Sequence, residues 1–226
     1  LPGNQQRLAC RLQEAFAAFL DHTDAQIGRL VDGLRRLGQL DNTVLVVLAD
    51  NGASQEGGPF GVMHEMKFFN GIFETPDEAV ERIDDIGGPH SHTNYPWGWA
   101  QCGNVPVKWY KQNTHEGGVH VPMIVHWPKD YPAPPQYRAG TVDDQVISLL
   151  DLTATTLWIA GVPRPTGMQS RLFLGRRADP PRTYAFSARD RIDETVVRLR
   201  SVRDKRYHYV RNFTPGAGVQ TLNRYK

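Results

Sequence analysis

The stretch TVLVVLADNGAS, Thr43 to Ser54, is almost wholly apolar until it reaches an acid, an amide and a glycine. An Asp carboxylate and an Asn carbonyl oxygen are hard donors, suited to calcium or magnesium. In open α/β sheets functional groups gather just beyond the carboxyl ends of strands, which is where Asp50 and Asn51 stand if Thr43–Ala49 is a strand. Gly52 lets the chain turn away at once and keeps both side chains at the sheet edge. An Asx turn closing the strand accounts for the same residues without any ligand. A second candidate is KQNTHEGGVHVP, Lys111 to Pro122. A lysine, polar residues and a Gly-Gly pair ahead of an apolar run can aim an ammonium and several backbone N–H groups at an anion. A solvated lysine on a glycine turn is the plainer alternative.

Other clusters carry weaker signals. His115-Glu116 with His120 approaches the H-E-x-x-H zinc pattern, but the histidines are five apart rather than four, and Gly117-Gly118 oppose the helix that would align them. Zincin chemistry is therefore rejected. The segment PHSHTNYPWGWAQCG holds His90, His92, Tyr95, Trp97 and Trp99, which reads equally as a substrate-facing wall or as a loop packed on its own aromatics. Asp84-Asp85 and Asp143-Asp144 fit helix ends or turns.

The elements that must position these groups follow from periodicity. From Leu8 to Leu37 apolar residues recur at helical spacing, through Leu12, Phe16, Phe19, Leu20, Ile27, Leu30, Val31 and Leu34, which predicts one long amphipathic helix ended by Gly38. Asp41-Asn42 make a turn into the apolar run 43–49, which predicts a strand covered on both faces, as in a parallel sheet. A long irregular loop, about 52–107, follows with one possible helix over 76–86. VPMIVHWP, Val121 to Pro128, predicts a second buried strand, and after a Pro-rich linker a helix is expected over 142–159. The tail reads as consecutive antiparallel strands, TYAFSARD, ETVVRLRSVRD and KRYHYVRNF, with Asp204-Lys205 in a hairpin turn and Val197 and Leu199 alternating with Arg198 and Arg200.

The bulk properties are those of an ordinary globular chain: 226 residues, a net charge of +2 and no apolar run long enough to span a bilayer. They give no reason to expect a nucleic-acid or membrane partner. Cys10 and Cys102 are too few for a disulfide framework or a zinc ribbon and leave the compartment, cytoplasmic or periplasmic, undecided. With no initiator methionine and no closing element in TLNRYK, the chain reads as a piece of a longer protein.

Taken together, a strand ending in ADNG and a K-x-x-x-x-E-G-G-V-x-V-P segment opening another strand resemble the type I sulfatase family. VISLLDLTATTLWIAGVPRP is similar to a later helix of that family. The segment NYPWGWAQCGN resembles bacterial arylsulfatases, and FSARDRIDETVVRLRSVRDKRYHYVRNF resembles the C-terminal sheet of a group closer to heparan N-sulfatases. The resemblance implies an alkaline-phosphatase-like α/β fold, with a mixed, largely parallel sheet between helices and a small C-terminal antiparallel sheet. It divides the chain into the C-terminal part of a catalytic domain, 1–165, and a subdomain, 166–226. It also implies hydrolysis of a small-molecule or carbohydrate sulfate ester, with Asp50 and Asn51 as calcium ligands and Lys111 contacting sulfate oxygens. His115 lies close enough in sequence to be carried as a further substrate-binding candidate. The formylglycine nucleophile of the family arises from Cys or Ser in C/S-x-P/A-x-R, and neither Cys10 nor Cys102 stands in such a motif. No catalytic nucleophile is therefore assigned here, and the isolated chain is expected to be inactive. A phosphodiester or phosphonate monoester hydrolase of the same superfamily, or a non-catalytic remnant, are the competing expectations. The oligomeric state is left open.

Overall fold

The computed structural model describes residues 1–135, 137–192 and 195–216. The chain opens with α1, Gly3–Arg36, one unbroken helix whose last turn carries Arg35 and Arg36, favourably placed at the negative end of the helix dipole. Gly38, at φ +66°, supplies the left-handed residue that ends it. Only the first half of this helix is buried. Leu8 and Leu12 are each 1 % exposed and pack with Met63, Ala79, Ile86, Tyr95, Ala100 and Tyr110. Beyond that point the apolar stripe faces outward, with Phe19 70 % exposed.

A short 3₁₀ turn, Leu40–Asn42, leads into β1, Leu45–Leu48. The long loop contains α2, Glu65–Phe69, α3, Pro76–Glu81, and α4, Trp97–Gly103. α3 is fixed at its start by a capping box, Thr75 with Glu78, and a proline at its first position. After α5, Glu116–Val119, comes β2, Met123–His126.

β1 and β2 pair with each other antiparallel, Leu45 opposite His126 and Leu48 opposite Met123, rather than as neighbours in a parallel sheet. The expected burial on both faces is also absent among the described residues, since Val46, Val47 and Leu48 are 38 to 42 % exposed. A continuous apolar strand is covered only where layers lie on both sides of its sheet, and this sheet has two strands and no such layers among the described residues.

The next helix, α6, Leu150–Ile159, is shorter than the expected 142–159. Val146 instead pairs with Arg182 in an isolated bridge, and the Asp151 carboxylate accepts from the Ser148 amide at 2.9 Å, which sets the helix start. Asp143 folds back on the Gln145 amide at 2.9 Å, a turn that competes with helix. Gly161, at φ +68°, closes α6.

The tail forms a three-stranded antiparallel sheet, β3, Ala185–Ile192, β4, Thr195–Arg203, and β5, His208–Asn212, in that order. Glu194, the expected first residue of the middle strand, lies outside the described residues. Val197 and Leu199 are fully buried while Arg198 and Arg200 are exposed, so the alternation read from sequence gives the two faces correctly. The molecule is thus α/β, with a separate antiparallel sheet at its C-terminal end.

Candidate functional site

The chain bends through Asp50–Asn51–Gly52 directly after β1. Asp50 is exposed and Asn51 half-buried, and neither side chain makes a hydrogen bond among the described residues. The next two residues dock on the Lys111 segment. The Gly52 amide donates to the Gly118 carbonyl at 3.4 Å, and the Lys111 amide donates to the Ala53 carbonyl at 3.0 Å. Both sequence candidates therefore lie side by side, although they are sixty residues apart.

Glycines make this approach possible. A Cβ on Gly52 would lie 1.6 Å from the Gly117 carbonyl oxygen, and one on Gly117 would lie 1.7 Å from that of Trp109. Either contact is far inside van der Waals range, so any side chain would push the two segments apart. Asn104 staples the same junction. Its amide nitrogen donates to the Trp109 and Gly117 carbonyls, each at 2.9 Å, while its carbonyl oxygen accepts from the Ala53 amide at 3.4 Å. Nothing in the sequence marks Asn104 out, because its partners are backbone atoms that only the fold assembles.

Lys111 is half-buried, and its ammonium pairs with Glu56 at 2.9 Å. Glu56 is in turn fixed by the Ser54 hydroxyl at 2.9 Å, and Asn94 donates to that hydroxyl at 3.2 Å. A carboxylate held in this way orients the ammonium. Glu56 gave no sequence signal, being one acid in a polar loop. The following residue, Gln112, adopts φ +71°, held by Gln55 through its side chain at 2.7 Å and by Arg189 of β3, which donates to its carbonyl at 2.8 Å.

His115 sits elsewhere in this junction. It is the residue before α5, with its ring edge-on to Trp109 at 6.4 Å between centroids. Burial, and then the nearby Lys108, His208 and Arg189, push its pKa below the usual histidine range. Its neighbour Glu116 pairs with Arg203 of β4 and lies 3.9 Å from both His120 and His208. This carboxylate joins the Lys111 segment to the C-terminal sheet.

The aromatic cluster resolves in favour of packing. Tyr95 is buried, Trp97 and Trp99 pack on the same core, and the Trp99 indole donates to the Ala9 carbonyl at 2.9 Å.

Calcium takes six to eight oxygen ligands. Asp50 and Asn51 have the right donor chemistry and are unengaged, which fits part of such a site. Among the described residues no group of three His, Cys, Asp or Glu side chains converges to complete one.

A family model described as Sulfatase matches residues 3–162. The chain belongs to the sulfatase family. It is similar to an ulvan-active sulfatase of Formosa agariphila, 35 % identical over 67 % of this chain and 24 % of that protein. An uncharacterized sulfatase of Schizosaccharomyces pombe is 28 % identical over 80 % of this chain and 30 % of that protein. An arylsulfatase of Klebsiella aerogenes is 26 % identical over 72 % of this chain and 32 % of that protein. A solved protein bound to its substrate D-glucosamine-2-N,6-O-disulfate aligns with a TM-score of 0.49 at 19 % identity, over 84 % of this chain and 29 % of that one. The sulfatase chain thus spans about a third or less of the length of these relatives. No helix among its described residues is long and apolar enough to cross a membrane.

Proposed function

We propose that this chain supplies one wall of the active site of a sulfuric ester hydrolase with an alkaline-phosphatase-like fold, and that 1–165 and 166–226 act as catalytic part and subdomain. The observation that carries this reading is the backbone docking of the Asp50–Asn51 turn on the Lys111 segment. It supports the reading because two free oxygen donors and an ammonium on adjoining segments are the kinds of group that a tetrahedral, monoanionic sulfate ester on a hard cation would use.

In this reading Asp50 and Asn51 are two of the calcium ligands. The remainder, and the formylglycine nucleophile, would come from the part of the relatives' length that this chain does not match. A bound calcium would stabilise negative charge on the sulfate as the S–O bond breaks. Lys111 would hold sulfate oxygens, with Glu56 keeping its ammonium aimed until the anion arrives. The burial of His115 beside Trp109 and cationic neighbours favours a neutral ring, which could donate or accept one hydrogen bond but not supply a fixed charge. The substrate would be a small-molecule or carbohydrate sulfate ester.

The test is kinetic and uses the full-length product of the gene encoding this chain. 4-Nitrophenyl sulfate hydrolysis is expected to require calcium, with Asp50→Ala raising the calcium concentration needed. Lys111→Ala is expected to lower kcat/KM by roughly 10²–10³. Preference for bis(4-nitrophenyl) phosphate over the sulfate would instead support a phosphodiesterase, and activity indifferent to Lys111→Ala would remove the lysine from the mechanism.

A further inference from the structure

The C-terminal sheet has one face on the Lys111 segment and another turned away from it. The inner face carries the buried Val197, Leu199 and Ser201 of β4. Side chains alternate along a strand, so the residues between these stand on the outer face. There the register lines up Phe186, Val202 and Tyr209 in one row across β3, β4 and β5. The next row is Ala188, Arg200 and Arg211. A third brings Arg198 beside Phe213, whose amide donates to the Arg198 carbonyl at 2.8 Å. From the spacings of antiparallel strands, each row is about 10 Å wide and the rows are about 7 Å apart.

A solvated sheet face is ordinarily polar, and this one is not. Phe186 is 74 % exposed, Tyr209 63 % and Phe213 50 %. Cations interleave with the rings. The Arg211 guanidinium lies 4.6 Å from the Phe213 ring centroid, and that of Arg206 lies 5.1 Å from the centroid of Tyr207. The guanidinium groups of Arg198 and Arg211 make no hydrogen bond or ion pair among the described residues. The neighbouring carboxylates are taken, Asp190 by Arg200 at 2.7 Å and Asp204 by the Arg206 and Tyr207 amides. The face therefore offers uncommitted planar forks of donors, which match sulfate or carboxylate, between flat apolar rings. Repetition of both over three rows suits a chain of rings bearing anionic groups rather than a single small ion.

We propose that the outer face of the C-terminal sheet binds a sulfated polysaccharide. Arg198 and Arg211 pair with its sulfate groups, while Phe186, Tyr209 and Phe213 stack on the apolar faces of its sugar rings. A single-stranded nucleic acid offers rings and repeated anions too. Two observations favour the polysaccharide: the net charge is only +2, short of the strongly basic balance of nucleic-acid-binding domains, and the chain belongs to the sulfatase family. The choice of a sulfated polymer rests on the sulfate-ester reading of this chain, whereas the cationic, aromatic character of the face does not.

The experiment measures equilibrium binding to the full-length gene product by calorimetry, with dextran sulfate, unsulfated dextran and oligothymidylate as probes. Dextran sulfate is expected to bind and dextran is not. Arg198→Gln combined with Arg211→Gln is expected to weaken dextran sulfate binding about tenfold or more and to flatten its salt dependence. Tyr209→Ala is expected to weaken it about threefold or more with the salt dependence kept, because a ring and not a charge is lost. Arg176→Gln combined with Arg177→Gln removes the same charge from exposed positions outside the sheet, and is expected to change nothing. Hydrolysis of 4-nitrophenyl sulfate, too small to span the face, is expected to be equal in all these variants. If no sulfate ester is hydrolysed, only the hydrolase reading falls, and binding lost through the sheet variants still supports the surface. Oligothymidylate bound as tightly as dextran sulfate overturns the proposal in favour of a nucleic acid. Absent dextran sulfate binding, or binding indifferent to the sheet variants, overturns it outright.

Discussion

The two sheets of this molecule are built from similar residues and end in opposite situations. β1 and β2 are continuous apolar runs, LVVL and MIVH, yet they leave most of their side chains exposed. β4 alternates, and it buries Val197 and Leu199 completely while Arg198 and Arg200 face water. An alternating strand carries its own solvent face and needs one packing partner. That partner is present: β3 and β4 reach the Lys111 segment through Arg189 and through Arg203 with Glu116. A strand apolar on both faces needs two layers, and the described residues supply neither. The difference teaches that apolarity states what a strand requires, while alternation also states which face is to be covered.

The strongest test of that comparison is the polar anchor leading into the C-terminal sheet. Asp151 is 1 % exposed and accepts from Arg182 at 2.5 and 2.6 Å, from the Arg171 amide at 2.8 Å and from the Ser148 amide. Asp151→Ala leaves a guanidinium and two amides without their partner, and is expected to destabilise by about 3–5 kcal/mol in urea unfolding. A loss under about 1 kcal/mol would mean that Arg182 is solvated rather than held.

Paired core substitutions probe the sheets directly. Leu199→Ala is expected to cost about 2–5 kcal/mol. Val47→Ala in the same 226-residue chain should stay near 0.5 kcal/mol, as surface changes do. Equal costs in the two sheets would break the comparison.

The smallest effect concerns pH. His208 is pushed below the usual histidine range by burial and by Arg203, against a hydrogen bond to the Thr114 backbone that raises it, and His115 is lowered too. With folded-state values depressed, the unfolded chain takes up protons first as pH falls. Stability is therefore complete above the ordinary histidine value of about 6.5 and declines as pH drops toward the lower folded values. A modest fall in Tm between pH 7 and 5 is expected, reduced in His208→Gln. A Tm that rose over this interval would reverse the assigned sign.

Much of this was legible in the sequence. The long helix, its Gly38 stop, both apolar strands and the three-strand tail follow from local periodicity and turn chemistry, because those signals are carried by neighbouring residues. Asp50, Asn51 and Lys111 were singled out because their surroundings resemble a family pattern, and the match to the sulfatase model, 3–162, spans all three positions. Asn104 and Glu56 were not readable. One holds backbone carbonyls and the other the Lys111 ammonium, and both contacts join segments distant in the chain.

The sequence by itself determined the long first helix, the two apolar strands and the antiparallel tail, and which side chains have the chemistry to hold a cation or an anion. Tertiary structure alone decided that β1 meets β2 antiparallel, that Tyr95 and Trp99 serve the core, and that the DNG turn lies against Lys111. The physical reason is one of range. Helix periods, caps and turns are settled within a few residues, whereas the meeting of Gly52 with Gly117 depends on two backbones approaching where neither has a Cβ to keep them apart.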